Sequence, residues 1–137
     1  MKNSSFFLLM IAGFCLTFAC KKEDSKSDRY DLLVAHIWKS DSLLANGKDA
    51  SGPGELLEKF AGDAQFQEDG TGYFGQYNGT WQLSNDDEFI TINSDSLIIP
   101  VTCYIDELTE TDFKIITSFP MQGEPQPVNI RITFKPQ

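Results

Sequence analysis

The sequence predicts an all-β domain, an antiparallel up-and-down barrel of eight strands with a short capping helix. Three observations support this fold class. Apolar and polar residues alternate along most of the chain after Tyr30, which is the period of a strand with one buried face. Asp-Gly and Asn-Gly pairs, which favour hairpin turns, separate neighbouring segments. A meander of short strands exposes two sheet edges, and closing it into a barrel removes them.

The last predicted strand shows the clearest alternation. Val128, Ile130, Ile132 and Phe134 fall on one face, and the polar residues between them fall on the other. Pro100 interrupts the strand predicted at 97–105 and indicates an edge or a bulge, because proline cannot donate a ladder hydrogen bond. The predicted strands cover 37–44, 63–68, 71–77, 80–84, 89–93, 97–105, 113–119 and 128–135.

Two segments depart from the strand period. Within 52–62, Leu56, Leu57 and Phe60 have helical spacing, which predicts the short capping helix at 55–60. Residues 30–37 predict one or two helical turns that lead into the first strand.

Two turn pairs determine the predicted register of the central strands. Asp69-Gly70 and Asn78-Gly79 each have the composition of a two-residue hairpin turn. The resulting registers place aromatic residues on both faces of the sheet, with Phe66 and Tyr73 on one face and Phe74 and Trp81 on the other. Either a bulge at Gly75 switches the faces, or one aromatic set lies under the capping helix.

Residues 1–19 have the pattern of a secretory signal peptide. After Met1-Lys2, residues 6–19 form an uncharged run of 14 residues, shorter than the roughly 17–20 that span a bilayer. Leu16-Thr17-Phe18-Ala19-Cys20 resembles the cleavage box of bacterial lipoproteins, whose Cys becomes the acylated first residue. Thr17-x-Ala19 also fits an ordinary cleavage site, which leaves free secretion as the alternative. We expect a lipid anchor at Cys20, a flexible polar tether over 20–29, and the barrel domain over 30–137.

The charge balance excludes several classes of function. The sequence has 20 acidic and 11 basic residues, and the part from Tyr30 onward has a net charge of -11. This acidic surface argues against nucleic-acid binding and against adhesion to an anionic membrane face. With one His, His36, and three Cys, the sequence has little material for imidazole catalysis or a zinc site. We predict no enzyme activity, catalytic residue, metal or cofactor.

Two local features have a simple structural interpretation. Residues 85–88 have the oxygen ligands that calcium prefers, but their position between two strands favours a hairpin loop. Once Cys15 is removed with the signal and Cys20 is acylated, Cys103 has no partner within the chain. We expect Cys103 to be a buried apolar residue of a strand.

Several short motifs, in this order and spacing, resemble the lipocalin-like domains of Bacteroidota lipoproteins. They are Leu32-Leu33, Trp38-Lys39, Phe66-x-x-Asp69-Gly70-Thr71-Gly72, Gly79-Thr80-Trp81-x-Leu83 and Ile105-x-x-Leu108-Thr109. The segment 20–25 also resembles the lysine-and-acid tag that follows the acylated Cys of Bacteroidota surface lipoproteins. The resemblance implies a small barrel with one open end in an outer-membrane lipoprotein of the cell envelope, with exposure at the cell surface as one arrangement. It also implies that Arg131 packs on Trp38, the alternative being that Arg131 faces solvent.

The aromatic residues are the candidate ligand-binding set. A barrel of about eight strands either holds one small ligand or is filled by side chains. In the first case the protein binds an apolar or amphiphilic molecule; in the second it is an accessory or structural lipoprotein that contacts an envelope protein through loops such as 120–127. The ligand, the leaflet, the oligomeric state and the glycosylation of Ser42 or Ser96, both in Asp-Ser-Leu motifs, stay open. The candidate ligand-binding residues are Trp38, Phe66, Tyr73, Phe74, Trp81 and Tyr104.

Overall fold

The computed structural model describes residues 27–137 and shows a closed antiparallel barrel. The predicted signal peptide and Cys20 lie outside the described residues. Eight strands form the barrel, each paired with its neighbour in sequence, and pairing of the first with the last closes the sheet. A ninth, two-residue strand pairs only with the end of the first. The strands are β1 (Ile37–Ala45), β2 (Lys48–Asp49), β3 (Asp63–Phe66), β4 (Thr71–Phe74), β5 (Tyr77–Leu83), β6 (Phe89–Asn93), β7 (Val101–Leu108), β8 (Phe113–Phe119) and β9 (Val128–Pro136).

The predicted fold class is confirmed. The alternation along β9 points Val128, Ile130, Ile132 and Phe134 into the barrel, where they are buried or half-buried. The same period fills the interior from every other long strand. Because the core and the closed sheet lie within 27–137, this segment is a self-contained folding unit. No helix among residues 27–137 is long and apolar enough to cross a membrane.

The α-helix α1 (Asp28–Ala35) precedes the first strand. Ser27 caps it, since the Ser27 hydroxyl oxygen accepts a hydrogen bond from the Tyr30 N–H at 3.1 Å. The helix begins before the 30–37 segment that the sequence indicates, so Asp28 and Arg29 belong to the folded domain and not to the tether. Leu33 is its fully buried residue.

The predicted capping helix at 55–60 is a run of turns that ends in one 3₁₀ turn (Glu58–Phe60). Leu57 is buried, whereas Leu56 is exposed. A glycine on either side of Pro53 favours turns in the first half of this segment. The segment lies at the opposite end of the barrel from α1.

The two predicted hairpin turns need correction. The β3–β4 loop has four residues, 67–70, with Gly70 at φ +86°, and the strands that it joins pair Phe66 with Gly72. The β4–β5 turn is formed by Gly75 and Gln76, with Gly75 at φ +61°, and it pairs Phe74 with Tyr77. The predicted Asn78-Gly79 turn is wrong, because both residues lie inside β5.

The corrected register brings the inner aromatic residues to one face. A one-residue shift turns a whole strand over, because the side-chain period is two. Phe66, Phe74 and Trp81 therefore all point inward, with ring centroids 5.3 Å apart for Phe66–Phe74 and 5.4 Å apart for Phe66–Trp81. The two alternatives that the sequence left open, a bulge at Gly75 and an aromatic set under the capping helix, are therefore not required to explain the positions of these residues.

Close backbone packing explains the glycine at position 79. A Cβ atom there would lie 1.8 Å from the carbonyl oxygen of Asn93 on the neighbouring strand. Gly79 pairs with Gly72 on the other side, where a Cβ would lie 2.4 Å from the Gln65 oxygen. The Asn-Gly pair therefore marks a close approach of strands and not a turn.

The strand predicted at 97–105 is shifted toward the C-terminus. β7 begins at Val101 and ends at Leu108, so residues 97–100 form part of the β6–β7 loop. Pro100 directly precedes the strand, where its missing N–H interrupts no ladder.

Candidate ligand-binding cavity

One end of the barrel is sealed by α1 and by the loops that follow β3 and β5. Trp38 and Phe113 are fully buried there, with ring centroids 5.5 Å apart. The Trp38 indole N–H donates to the Leu33 carbonyl oxygen at 3.2 Å, which ties the helix to the core. Tyr30 packs on Trp81 with centroids 5.4 Å apart. α1 therefore covers this end of the barrel.

Hydrogen bonds hold the sealing helix to the two loops. The Tyr30 hydroxyl donates to the Glu68 carbonyl oxygen at 3.0 Å, and the Arg29 guanidinium donates to the Asp87 carbonyl oxygen at 2.7 Å. The β3–β4 loop is itself well bonded, since the Thr71 hydroxyl and N–H both donate to the Asp69 carboxylate. These bonds, with the hydroxyl contributing most, lower the pKa of Asp69 below its usual value.

The other end opens into a cavity of about 340 Å³ inside the barrel. Inward side chains of β3, β4, β8 and β9 form its inner part, while the 56–60 turns, the β6–β7 loop and the end of β8 surround its mouth. The volume is in the lower part of the range for small-molecule sites. Representative lining residues are Phe60, Phe66, Phe74, Ile115, Phe119 and Phe134.

The cavity is apolar with a few neutral polar groups. Tyr77, Ser96 and Thr117 contribute hydroxyls and Cys103 contributes a thiol, and no charged residue of the described chain lines the cavity. The Thr117 hydroxyl donates to the Thr102 carbonyl oxygen at 3.0 Å. Burial raises the pKa of the Cys103 thiol to about 12, so the thiol is uncharged at neutral pH. This chemistry suits an apolar molecule with a small polar group.

Four of the six candidate ligand-binding residues point inward, and two of these line the cavity. Phe66 and Phe74 lie in its wall. Trp38 and Trp81 are buried in the packing of the closed end, where the Trp81 indole N–H donates to the Gln67 carbonyl oxygen at 3.0 Å. The tryptophans therefore support the floor instead of forming the lining.

Tyr73 and Tyr104 lie on the outer face of the barrel, which corrects their assignment to the ligand site. Tyr73 alternates with the inward Gly72 and Phe74, and Tyr104 is exposed. Tyr104 instead packs edge-to-face on Phe89, with centroids 5.6 Å apart, beside a shallow outer groove. Alternation identifies such faces only once the register of the hairpin is known.

Arg131 also lies on the outer face, which confirms the solvent-facing alternative. Its neighbours across the ladders are Leu44 on β1 and Ile116 on β8, and it borders the outer groove. Trp38 points inward, so the implied Arg131–Trp38 stacking is wrong.

Sequence reasoning missed the mouth of the cavity. Leu97, Ile98 and Ile99 line it together with Leu56 and Leu57, all from segments outside the regular strands. Ile98 is fully exposed, Ile99 is 52% exposed and Leu56 is 42% exposed. The available signal was the apolar run at 97–99, which ends at Pro100. This run falls within the strand predicted at 97–105 because it continues the alternation of that strand. The mouth thus presents apolar side chains to solvent.

Other candidate features have structural roles. The acidic segment 85–88 forms the β5–β6 loop, in which the Asp86 carboxylate accepts bonds from the Ser84 hydroxyl and the Glu88 N–H. Within residues 27–137, no group of three or more His, Cys, Asp or Glu is placed to hold a metal ion. His36 ends α1 and contacts Trp38 edge-to-face. Ser96 is exposed at the mouth, and Ser42 is half-buried in β1.

Comparison with known proteins assigns no family to the chain. No protein-family model matches it, and a search of curated proteins finds no match.

Proposed function

We propose that the protein is a membrane-anchored, lipocalin-like lipoprotein that binds a small apolar or amphiphilic ligand inside its barrel. The observation that carries this proposal is the apolar cavity of about 340 Å³, sealed at one end and open at the other. A barrel of about eight strands is either filled by side chains or holds one small ligand, and the open apolar cavity favours the second case. The motifs shared with lipocalin-like lipoproteins of Bacteroidota support the same function.

Native mass spectrometry of residues 25–137 tests ligand binding directly. The fragment is exposed to a lipid extract of bacterial cells, desalted and measured without denaturation. We expect one retained molecule per barrel, whose mass identifies its class. Neither tryptophan lines the cavity, so the retained mass is a more direct readout than tryptophan emission. A fragment that stays bare in every extract would refute the proposal.

Two neighbouring positions on β7 provide a matched pair of variants. Val101 lines the cavity, whereas Thr102 faces the outer groove. Val101→Trp fills part of the cavity and should abolish retention of the ligand. Thr102→Trp adds the same side chain outside the barrel and should leave retention unchanged. Equal retention by both variants would place the ligand elsewhere.

The proposed anchor is an acylated Cys20, for which the lipoprotein-like cleavage box is the support. Several acyl chains hold a protein stably, because each buried methylene contributes about 0.8 kcal/mol. Mass spectrometry of the mature N-terminus from a producing bacterium should find the acyl mass on Cys20, and Cys20→Ser should release the protein from the membrane fraction. An unmodified Cys20 thiol would contradict the anchor.

A second candidate function is that of an accessory lipoprotein acting through protein contacts. The exposed mouth residues Leu56, Ile98 and Ile99 favour it, because clustered exposed apolar side chains often mark interaction sites. The double substitution Ile98→Ser and Ile99→Ser distinguishes the functions. Loss of a co-purifying envelope protein, with no ligand retained by the parent chain, would support the accessory function.

A further inference from the structure

The chemistry of the cavity restricts the charge of its ligand. Its polar side-chain groups are the hydroxyls of Tyr77, Ser96 and Thr117 and the thiol of Cys103, while the rest of the described lining is apolar. The Cys103 thiol is uncharged at neutral pH because burial raises its pKa, and the Thr117 hydroxyl already donates to a backbone carbonyl oxygen. An ion buried here would lose its hydration without gaining a counter-ion, which is strongly unfavourable.

The surroundings of the mouth add to the restriction on anions. Residues 27–137 carry a net charge of -11. Asp95 precedes the lining segment of the β6–β7 loop, and Glu55 and Glu58 lie on either side of the lining residues at 56 and 57. Lys59 is a base of the same segment, and it is exposed. A carboxylate at the mouth therefore meets apolar side chains and an acidic surface.

The volume of the cavity restricts the length of the ligand. About 340 Å³ is the volume of roughly eleven water molecules, at about 30 Å³ each. A linear chain of about ten carbon atoms with one small head group occupies a similar volume. A longer chain would have to extend beyond the mouth into solvent.

We propose that the cavity selects uncharged single-chain molecules of about ten carbon atoms, such as a medium-chain alcohol, over fatty acids of the same length. This inference rests on the proposed function, because it names the chemical class of the ligand in the same cavity. A hydroxyl head group can pair with the hydroxyl of the half-buried Tyr77, whereas a carboxylate finds no cationic side chain in the described lining and meets acidic residues at the mouth.

Two probes that differ only in their head group test this selection. Residues 25–137 are titrated by isothermal calorimetry at pH 8 with 1-decanol and with decanoate, each below its aggregation concentration. We expect one decanol per barrel, bound at least tenfold more tightly than decanoate. The Val101→Trp variant should lose decanol binding, and Thr102→Trp should keep it, with circular dichroism verifying that both are folded.

The outcomes separate the two proposals. If decanoate binds within tenfold of decanol, selection for an uncharged ligand over a fatty acid is overturned while ligand binding itself stands. If neither probe binds and no lipid is retained from cell extract, the proposed function fails and this inference fails with it. If neither binds but a lipid is retained, the size and charge assignment is wrong and the carrier function stands.

Discussion

Replacing Gly79 by alanine tests the packing of the central strands. A Cβ at this position would lie 1.8 Å from the Asn93 oxygen, whereas real Cβ contacts stay beyond 3.0 Å, so β5 and β6 must separate by more than 1 Å. The obstructing atom is a backbone oxygen, so no change of side-chain rotamer can relieve the clash. Overpacking of this kind costs about 1–3 kcal/mol, and a backbone obstacle places Gly79→Ala near 3 kcal/mol.

Gly47→Ala is the matched control. Gly47 has φ +77°, and no atom lies within 4 Å of the point that a Cβ would occupy, so alanine there meets conformational strain but no clash, at about 1 kcal/mol. Both substitutions change the unfolded chain in the same way, so their difference reports the folded state. With about 4 °C per kcal/mol for a domain of this size, Gly79→Ala should lower the Tm by about 12 °C and Gly47→Ala by about 4 °C.

Thermal unfolding followed by circular dichroism measures both variants of residues 25–137. If Asn78-Gly79 formed an exposed turn, the two substitutions would have similar effects, because both would place alanine at a positive φ in free space. A Gly79→Ala variant as stable as Gly47→Ala would therefore refute the corrected strand register.

Three further predictions concern the core and the titrating groups. Phe113→Ala removes a fully buried ring that packs against three aromatic neighbours, and it should lower the free energy of unfolding by about 4 kcal/mol in urea titrations; a loss below about 1.5 kcal/mol would contradict this packing. The Lys135 ammonium and the Thr111 hydroxyl donate to the Asp112 carboxylate and lower its pKa, so its stabilisation is present above about pH 4 and is lost as the pH falls through the folded-state pKa. The Tm difference between the parent and Asp112→Asn should therefore narrow on acidification, and a constant difference would argue against the pair. Burial raises the pKa of Cys103 to about 12, so the thiol is not ionised at pH 8 and iodoacetamide should add mass only after unfolding in urea; fast labelling of the native protein would contradict the raised pKa.

The strands were predictable wherever one face is buried and the other is solvated. β1, β6, β8 and β9 match the predicted segments within about a residue, and the alternation of inward apolar and outward polar side chains is clearest along β9. The prediction for β7 began too early, at 97, because the apolar run before Pro100 continues the alternation of the strand although it belongs to the preceding loop. Alternation alone does not distinguish a strand from an apolar loop at the mouth of a cavity.

The predicted register of the central strands was wrong because two neighbouring glycine-containing dipeptides could each form the turn between β4 and β5. Asn78-Gly79 is the stronger local signal, but Gly75-Gln76 makes the turn, and a Cβ at Gly75 would lie 2.4 Å from the Lys59 oxygen. Contacts distant in sequence therefore decide which glycine turns the chain. The same long-range contacts decide which aromatic residues reach the cavity, so Phe66 and Phe74 could be proposed from the sequence but not distinguished from Tyr73.

Both chain ends of the folded domain lie at the sealed end of the barrel. α1 begins there at Asp28, directly after its N-cap Ser27, and the Gln137 N–H donates to the Ile37 carbonyl oxygen at the start of β1. A support attached through either terminus therefore joins the protein at the floor of the barrel, at the end opposite the mouth. With the proposed anchor at Cys20, the tether would join the barrel at its floor, so a ligand would exchange at the end of the barrel farthest from the point of attachment.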